Sequence, residues 1–178
     1  NIPEGVEYYN PLRTDNPSGE PTTYQAWLVT KNKNDMWLAM VGCLADAYLP
    51  SFSSDLVSQY PDLWREVKNS FEGRYSTQLG RLTMFFSFGL KDRSTNVVNM
   101  MKFLGSVKSP QELFQESQHN SVLDRYSFIN RKYQLLLIKA KNTPPEGEKE
   151  EILYFQYGGD LSISADLADE LFYNFPGK

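Results

Sequence analysis

The segment from Met36 to Tyr48 is apolar on nearly every side, with Met36, Trp37, Ala39, Met40, Val41, Cys43, Leu44, Ala45 and Ala47 leaving no polar stripe. A helix of that kind has no face to offer water, so the rest of the chain must wrap it. The chain has the material to do so: 178 residues, 40% of them apolar, suit one domain of ordinary size, or one and a piece of another. Disorder is excluded as the main state. Asn34 or Asp35 is predicted to cap this helix, and Pro50 to Ser54 to break the chain beyond it. One acid, Asp46, lies inside the apolar run and is expected to be buried with it.

The other elements are read from local signals. Val6 to Tyr9 reads as a short strand stopped by Asn10-Pro11, and residues 11–21, with three prolines and Gly19, read as a loop. Thr22 or Thr23 is predicted to cap a helix over Tyr24 to Lys31. Short helical pieces are expected over Leu56 to Tyr60 and Asp62 to Asn69, then an apolar helix from Gln78 to Leu90, another capped by Ser94, and a short one opening at Ser109-Pro110.

The longest periodic segment runs from about Ser121 to Lys141. Val122, Tyr126, Ile129, Tyr133, Leu136 and Ala140 recur in alternating steps of four and three and share one stripe. Arg125, Arg131, Lys132, Lys139 and Lys141 lie mostly off it. Residues 142–150 read as a polar linker or hairpin turn, Ile152 to Tyr157 as a strand ended by Gly158-Gly159, and Ser162 or Ser164 as the cap of a helix through Tyr173. The order is strand, many helices, a long helix, then strand and helix. It suggests an α/β class that is mostly helical: the end of one α/β layer with a helical subdomain, then the opening of a second α/β domain.

Composition narrows the chemistry. The formal charge of −4 argues against a broad basic face for nucleic acid. One cysteine, Cys43, excludes a disulfide framework and a cysteine-rich zinc site, and one histidine, His119, excludes any site needing two imidazoles from these residues. No phosphate-binding loop, dinucleotide glycine motif, nucleophile elbow or zinc-protease motif is present. No apolar stretch is long enough to span a membrane and no secretory leader is visible. The expectation is a piece of a longer, soluble cytoplasmic protein.

Asp46 is the sharpest candidate for a site, because an ionised carboxylate in an apolar helix is costly unless paired or bound to metal. The other reading is a helix-end aspartate facing solvent near Pro50, or one capping a neighbouring helix. Asp15, Glu20 and Asp35 are acids that folding is free to bring near it, with no spacing rule that requires this. Cys43 reads as a small buried hydrophobe rather than a nucleophile, and His119 as a solvated side chain. Gly158-Gly159 reads as a turn before a phosphate contact, and the basic flank of the long helix as a solvated face before a backbone-tracking surface.

Pro3-Glu4-Gly5-Val6-Glu7-Tyr8-Tyr9-Asn10-Pro11, Pro21-Thr22 and Trp37-Leu38-Ala39-Met40-Val41-Gly42-Cys43-Leu44-Ala45-Asp46 together resemble the DHH phosphoesterase family, closest to its archaeal RecJ-like branch. In that family an Asp-His-His motif lies shortly before a strand ending in Asn-Pro, and a helix after that strand carries a G-x-x-A-D segment whose aspartate binds metal. Gly42-Cys43-Leu44-Ala45-Asp46 matches that segment, so the resemblance implies Asp46 as a Mn2+ or Mg2+ ligand. It implies residues 1–120 as the later part of the catalytic domain, 121–145 as connector helix and linker, and 146–178 as the start of the C-terminal substrate-binding domain. The Asp-His-His motif and the glycine-histidine motif of the second domain are not in these residues.

The implied activity is metal-dependent hydrolysis of a phosphodiester or phosphate ester, with single-stranded nucleic acid or a small phosphorylated molecule as substrate, as in a RecJ-like exonuclease. The 178 residues alone are expected to be inactive. The competing reading is a non-catalytic, acidic helical interaction module that binds a protein partner through the 121–141 helix.

Overall fold

The computed structural model describes residues 3–15, 17–114, 121–144, 146, 152–159 and 161–176. Among them are eight α-helices: α1 (Thr22–Thr30), α2 (Met36–Ala45), α3 (Ser53–Gln59), α4 (Ser70–Ser76), α5 (Gln78–Gly89), α6 (Ser94–Leu104), α7 (Ser121–Lys141) and α8 (Ser164–Asn174). Pro110–Phe114 forms the predicted short helix, in its 3-10 form. The fold is mostly helical, and the α/β layering expected from the sequence is not seen among the described residues. The one β pairing there is an isolated antiparallel bridge between Glu146 and Ile152. Val6 to Tyr9 and Leu153 to Tyr157 join no ladder. A single strand with no neighbour has no hydrogen-bonding partner, so pattern alone does not make a sheet.

Helix α2 is wrapped as its composition demands. Met36, Trp37, Ala39, Met40, Val41, Cys43 and Leu44 are buried, joined by Tyr24 of α1, Phe52, Leu56 of α3, Trp64, and Leu79 and Leu82 of α5. Trp27 and Phe52 meet with ring centroids 4.3 Å apart. A second core lies on the other side of α5. There Met84 and Phe88 meet Ile129, Tyr133 and Leu137 of α7, and Ile163 and Leu167 at the start of α8. The predicted stripe of α7 faces this core: Ile129, Tyr133 and Ala140 are fully buried, with Tyr126 and Leu136 half-buried. Leu137, outside the predicted stripe, is buried as well. Val122 lies outside the described side chains.

The segment 62–69 departs from expectation. It is not helical, because its groups are tied to distant parts of the chain. Leu79 donates its backbone N–H to the carbonyl of Leu63 at 3.0 Å, and the Trp64 indole N–H reaches the Ser53 carbonyl at 2.9 Å. The helix forms later, as α4. Asn69 caps it by accepting from the Glu72 N–H at 2.9 Å, while the Glu72 carboxylate accepts from the Lys68 N–H at 2.9 Å. This pair is close to a capping box. The Lys68 N–H bond, with Arg65 adding to it, holds the Glu72 carboxyl below its ordinary pKa.

Helix α4 bridges both cores. Gly73 packs against Leu44 and Trp64 of the first core, and the buried Arg74 guanidinium reaches α8, at 3.4 Å from Asp166 and 3.3 Å from Asp169. Lys91 adds an ion pair with Asp166 at 3.1 Å. The Tyr133 hydroxyl donates to the Asp166 carbonyl at 3.1 Å or to Glu170 at 2.7 Å. The turn from α4 into α5 is closed by Thr77, whose hydroxyl bonds the Gly73 carbonyl at 2.7 Å and accepts from the Gly80 N–H at 3.0 Å. A Cβ at position 80 would overlap the carbonyl oxygens of Gly73 and Arg74, which are backbone atoms with no freedom to rotate away. Gly80→Ala is therefore expected to cost about 2 kcal/mol or more in urea unfolding; an unchanged midpoint would contradict this close approach.

Candidate functional site

The sequence singles out the end of α2, and two local features define it. Gly42 lies beneath α1: a Cβ there would come within 2.5 Å of the Thr23 side chain, so only glycine lets the two helices cross so closely. Four residues later, one turn on, α2 stops. The Ala47 N–H bonds the Leu44 carbonyl at 3.2 Å and the Tyr48 N–H bonds the Cys43 carbonyl at 2.9 Å. These two bonds make a Schellman stop, with Asp46 as C-cap and Ala47 in the left-handed position at φ 53°. The helix thus ends at Ala45, three residues short of the predicted Tyr48.

Asp46 is exposed at the end of α2: the reading as a helix-end aspartate facing solvent is the one seen, and the buried carboxylate on which the metal-ligand expectation leaned is not. The last turn of the helix carries its backbone out of the core before the side chain begins. The carboxylate makes no hydrogen bond or ion pair among the described residues. It also stands at the negative end of the helix dipole, where an acid is unfavourable by roughly 0.3–1 kcal/mol. Ser70, at the start of α4, braces the same turn by donating to the Ala47 carbonyl at 2.8 Å.

The other acids are not gathered around Asp46. Asp35 is at the opposite end of α2 and accepts from Asn32 at 2.7 Å. Glu20 is bonded to Gln25. Asp15 is exposed. A carboxylate oxygen is a hard donor suited to Mn2+ or Mg2+, so Asp46 fits such an ion as a single ligand. Among the described residues no group of three or more His, Cys, Asp or Glu stands close enough to hold a metal ion. They do not by themselves make the two-ion centre that the resemblance implies.

Cys43 is fully buried one turn before Asp46, as its reading as a small hydrophobe requires. Burial first, and the nearby Asp46 charge second, push its thiol pKa up to about 12. His119 lies outside the described residues. Gly158 and Gly159 have open space where a Cβ would be, on the rim of an apolar cleft lined by Leu135, Leu136 and Tyr157. The basic flank of α7 is engaged locally: Arg125 bonds the Lys91 carbonyl at 3.2 Å and pairs with Asp92 at 3.5 Å, and Lys132 sits 4.7 Å from the centre of the Phe128 ring. No helix among the described residues is long and apolar enough to cross a membrane.

Sequence reasoning missed a polar cleft of about 320 Å3 between α4, α5, α7 and α8, lined by Arg74, Arg81, Tyr126, Asn130, Gln134 and Glu170 among others. Asn130 and Gln134 lie one turn apart on α7, a spacing readable in the sequence, but nothing there says that α4 and α8 close over them.

Two measurements check the α2 terminus. Ala47→Gly is expected to raise stability by about 1 kcal/mol in urea unfolding, because glycine adopts the left-handed position without the Cβ penalty; a destabilised variant would refute that conformation. The Cys43 thiol is expected to resist an aromatic disulfide reagent at pH 8 in the folded protein and to react at once in denaturant. Rapid labelling of the native chain would contradict its burial. No family model, curated protein or solved structure matches this chain.

Proposed function

We propose that this chain is part of a metal-dependent phosphoesterase of the DHH kind, in which Asp46 supplies one carboxylate ligand to a Mn2+ or Mg2+ centre. The remaining ligands then come from outside these 178 residues, since a single histidine cannot provide an Asp-His-His motif. The observation that carries the reading is how the G-x-x-A-D segment is used. Its glycine is required for α1 to cross α2, and its aspartate is an unpaired carboxylate set on a braced helix end. That acid stands where it weakens the helix, beside a non-glycine residue in a strained conformation. Such local costs are common where a side chain serves a ligand rather than the fold. The substrate class is a phosphodiester or phosphate ester, with single-stranded nucleic acid or a small phosphorylated molecule as the candidates.

A second reading, a helical module that binds a protein partner, draws on one observation. Phe128, Leu135 and Ile138 are exposed along α7. The predicted stripe of that helix is occupied by α5 and α8, so a partner would meet these residues instead.

The test is Asp46→Asn in the natural protein that carries this sequence. Hydrolysis of bis-p-nitrophenyl phosphate with Mn2+ is expected to fall by about 100-fold, equivalent to about 3 kcal/mol of barrier, with the unfolding midpoint unchanged or slightly raised. Wild-type rates in the variant would refute the assignment. The 178 residues alone are expected to bind Mn2+ weakly or not at all in calorimetric titration.

A further inference from the structure

The cleft between α4, α5, α7 and α8 has walls of three chemical kinds. Tyr126 and Tyr75 supply aromatic surface, with one face of Tyr75 taken by the Arg74 guanidinium 5.4 Å from its ring centre. Tyr126 is held in place by Phe85 and Phe88, at 5.2 and 6.0 Å between ring centroids, and Tyr75 by Tyr173 at 5.3 Å. Asn130 and Gln134, on one face of α7, supply two carboxamides, neither of which makes a hydrogen bond among the described residues. Each offers a donor beside an acceptor.

The charges around the cleft differ in how they are met. Arg74 is neutralised by Asp166 and Asp169, and Lys91 also faces Asp166. Arg81 is different: it is exposed, makes only a side-chain bond to Gln78 at 2.9 Å, and has no carboxylate within ion-pair distance among the described residues. Glu170, contributed to the lining by α8, accepts from the Tyr133 hydroxyl and keeps further lone pairs for a second donor. The Tyr75 hydroxyl is buried in the wall with no hydrogen-bond partner among the described residues.

We infer that this cleft binds a nucleotide, with the aromatic base against the tyrosines, its edge read by Asn130 and Gln134, and its phosphate on Arg81. Aromatic surface and carboxamides suit a base, because the ring stacks while the amide matches adjacent donor and acceptor atoms on its edge. A guanidinium with no acidic partner suits a phosphate. Glu170 repels that phosphate and accepts from a sugar hydroxyl, which fixes the direction of the ligand. The volume lies at the lower end of the range for small-molecule sites, roughly 300–1,000 Å3. Neither Asp46 nor any residue bonded to it lines the cleft, so the inference stands apart from the phosphoesterase reading.

The experiment is titration of the 178-residue chain with AMP, inorganic phosphate and a five-nucleotide single-stranded oligoadenylate, monitored by amide NMR shifts without divalent ion. AMP is expected to shift residues of α5, α7 and α8, and Arg81→Ala and Gln134→Leu, both at exposed positions, each to weaken it at least about tenfold. Saturation by the oligonucleotide with the same sensitivity supports the site and identifies a strand end as the source of the nucleotide. Saturation by AMP alone supports it with a free nucleotide as the source. Absence of shifts at millimolar AMP overturns the inference, as does binding of phosphate as tight as AMP, or AMP binding indifferent to both substitutions. Because the assay involves no metal and no turnover, its failure leaves the Asp46 test standing, and failure of that test leaves this one standing.

Discussion

The structure depends on what α4 does with two adjacent residues. Gly73 presents no side chain, so Trp64 and Leu44 of the first core come up against the helix backbone. Arg74 points the other way and is buried among Asp166, Asp169 and the Tyr75 ring. A buried guanidinium is tolerated only when its charge is met; taking away one partner of such a pair costs about 3–5 kcal/mol. Asp166 is in turn held by Lys91, so α8 is fastened to both α4 and the end of α5. The apolar contacts of α8, Ile163 and Leu167 on Tyr133 and Ile129, supply area, but area is non-directional. The ion pairs select a seating in which Arg74, Lys91, Asp166 and Asp169 are each paired. That seating is also what closes the polar cleft, since α8 brings Glu170 to face α5 and α7.

What the sequence makes legible is what local physics decides. The all-round apolar run of α2, the apolar α5 and the four-and-three periodicity of α7 each announce a helix because burial at that spacing has no other use. Their extents are reproduced to within a few residues. Helix α4 is illegible for the opposite reason. Ser-Phe-Glu-Gly-Arg-Tyr-Ser has no periodic stripe and a glycine inside it, and its stability comes from contacts more than 20 residues away, such as Ser70 on Ala47. The one local sign is Asn69 with Glu72 three residues on, a capping pattern outweighed by the apparent helix before it. That apparent helix, over 62–69, does not form because the Leu63 carbonyl and the Trp64 indole are bonded across the chain. Expected caps fail similarly: α1 begins after Pro21, α6 after Arg93 and α8 after Ile163, none with a side-chain cap.

The candidate site is legible in identity and undecided in setting. Sequence alone leaves Asp46 between two settings, buried in an apolar run or facing solvent at a helix end, and the two residues after it carry the helix stop that decides for the second. Whether a carboxylate four residues before Pro50 is inside or outside depends on where the last turn closes. Here that is decided by Ala47 taking the left-handed conformation, which nothing about alanine foretells. The exposed position changes the energetic argument for a cation. A buried acid would call for one to offset its desolvation. An exposed acid is solvated, so what favours a cation is the dipole: the carboxylate hangs from a backbone held at the helix C-terminus, beside the last carbonyls, where positive charge is favoured. Gly42 under α1 and Ser70 from α4 hold the end of α2, and with it the backbone from which that carboxylate is presented.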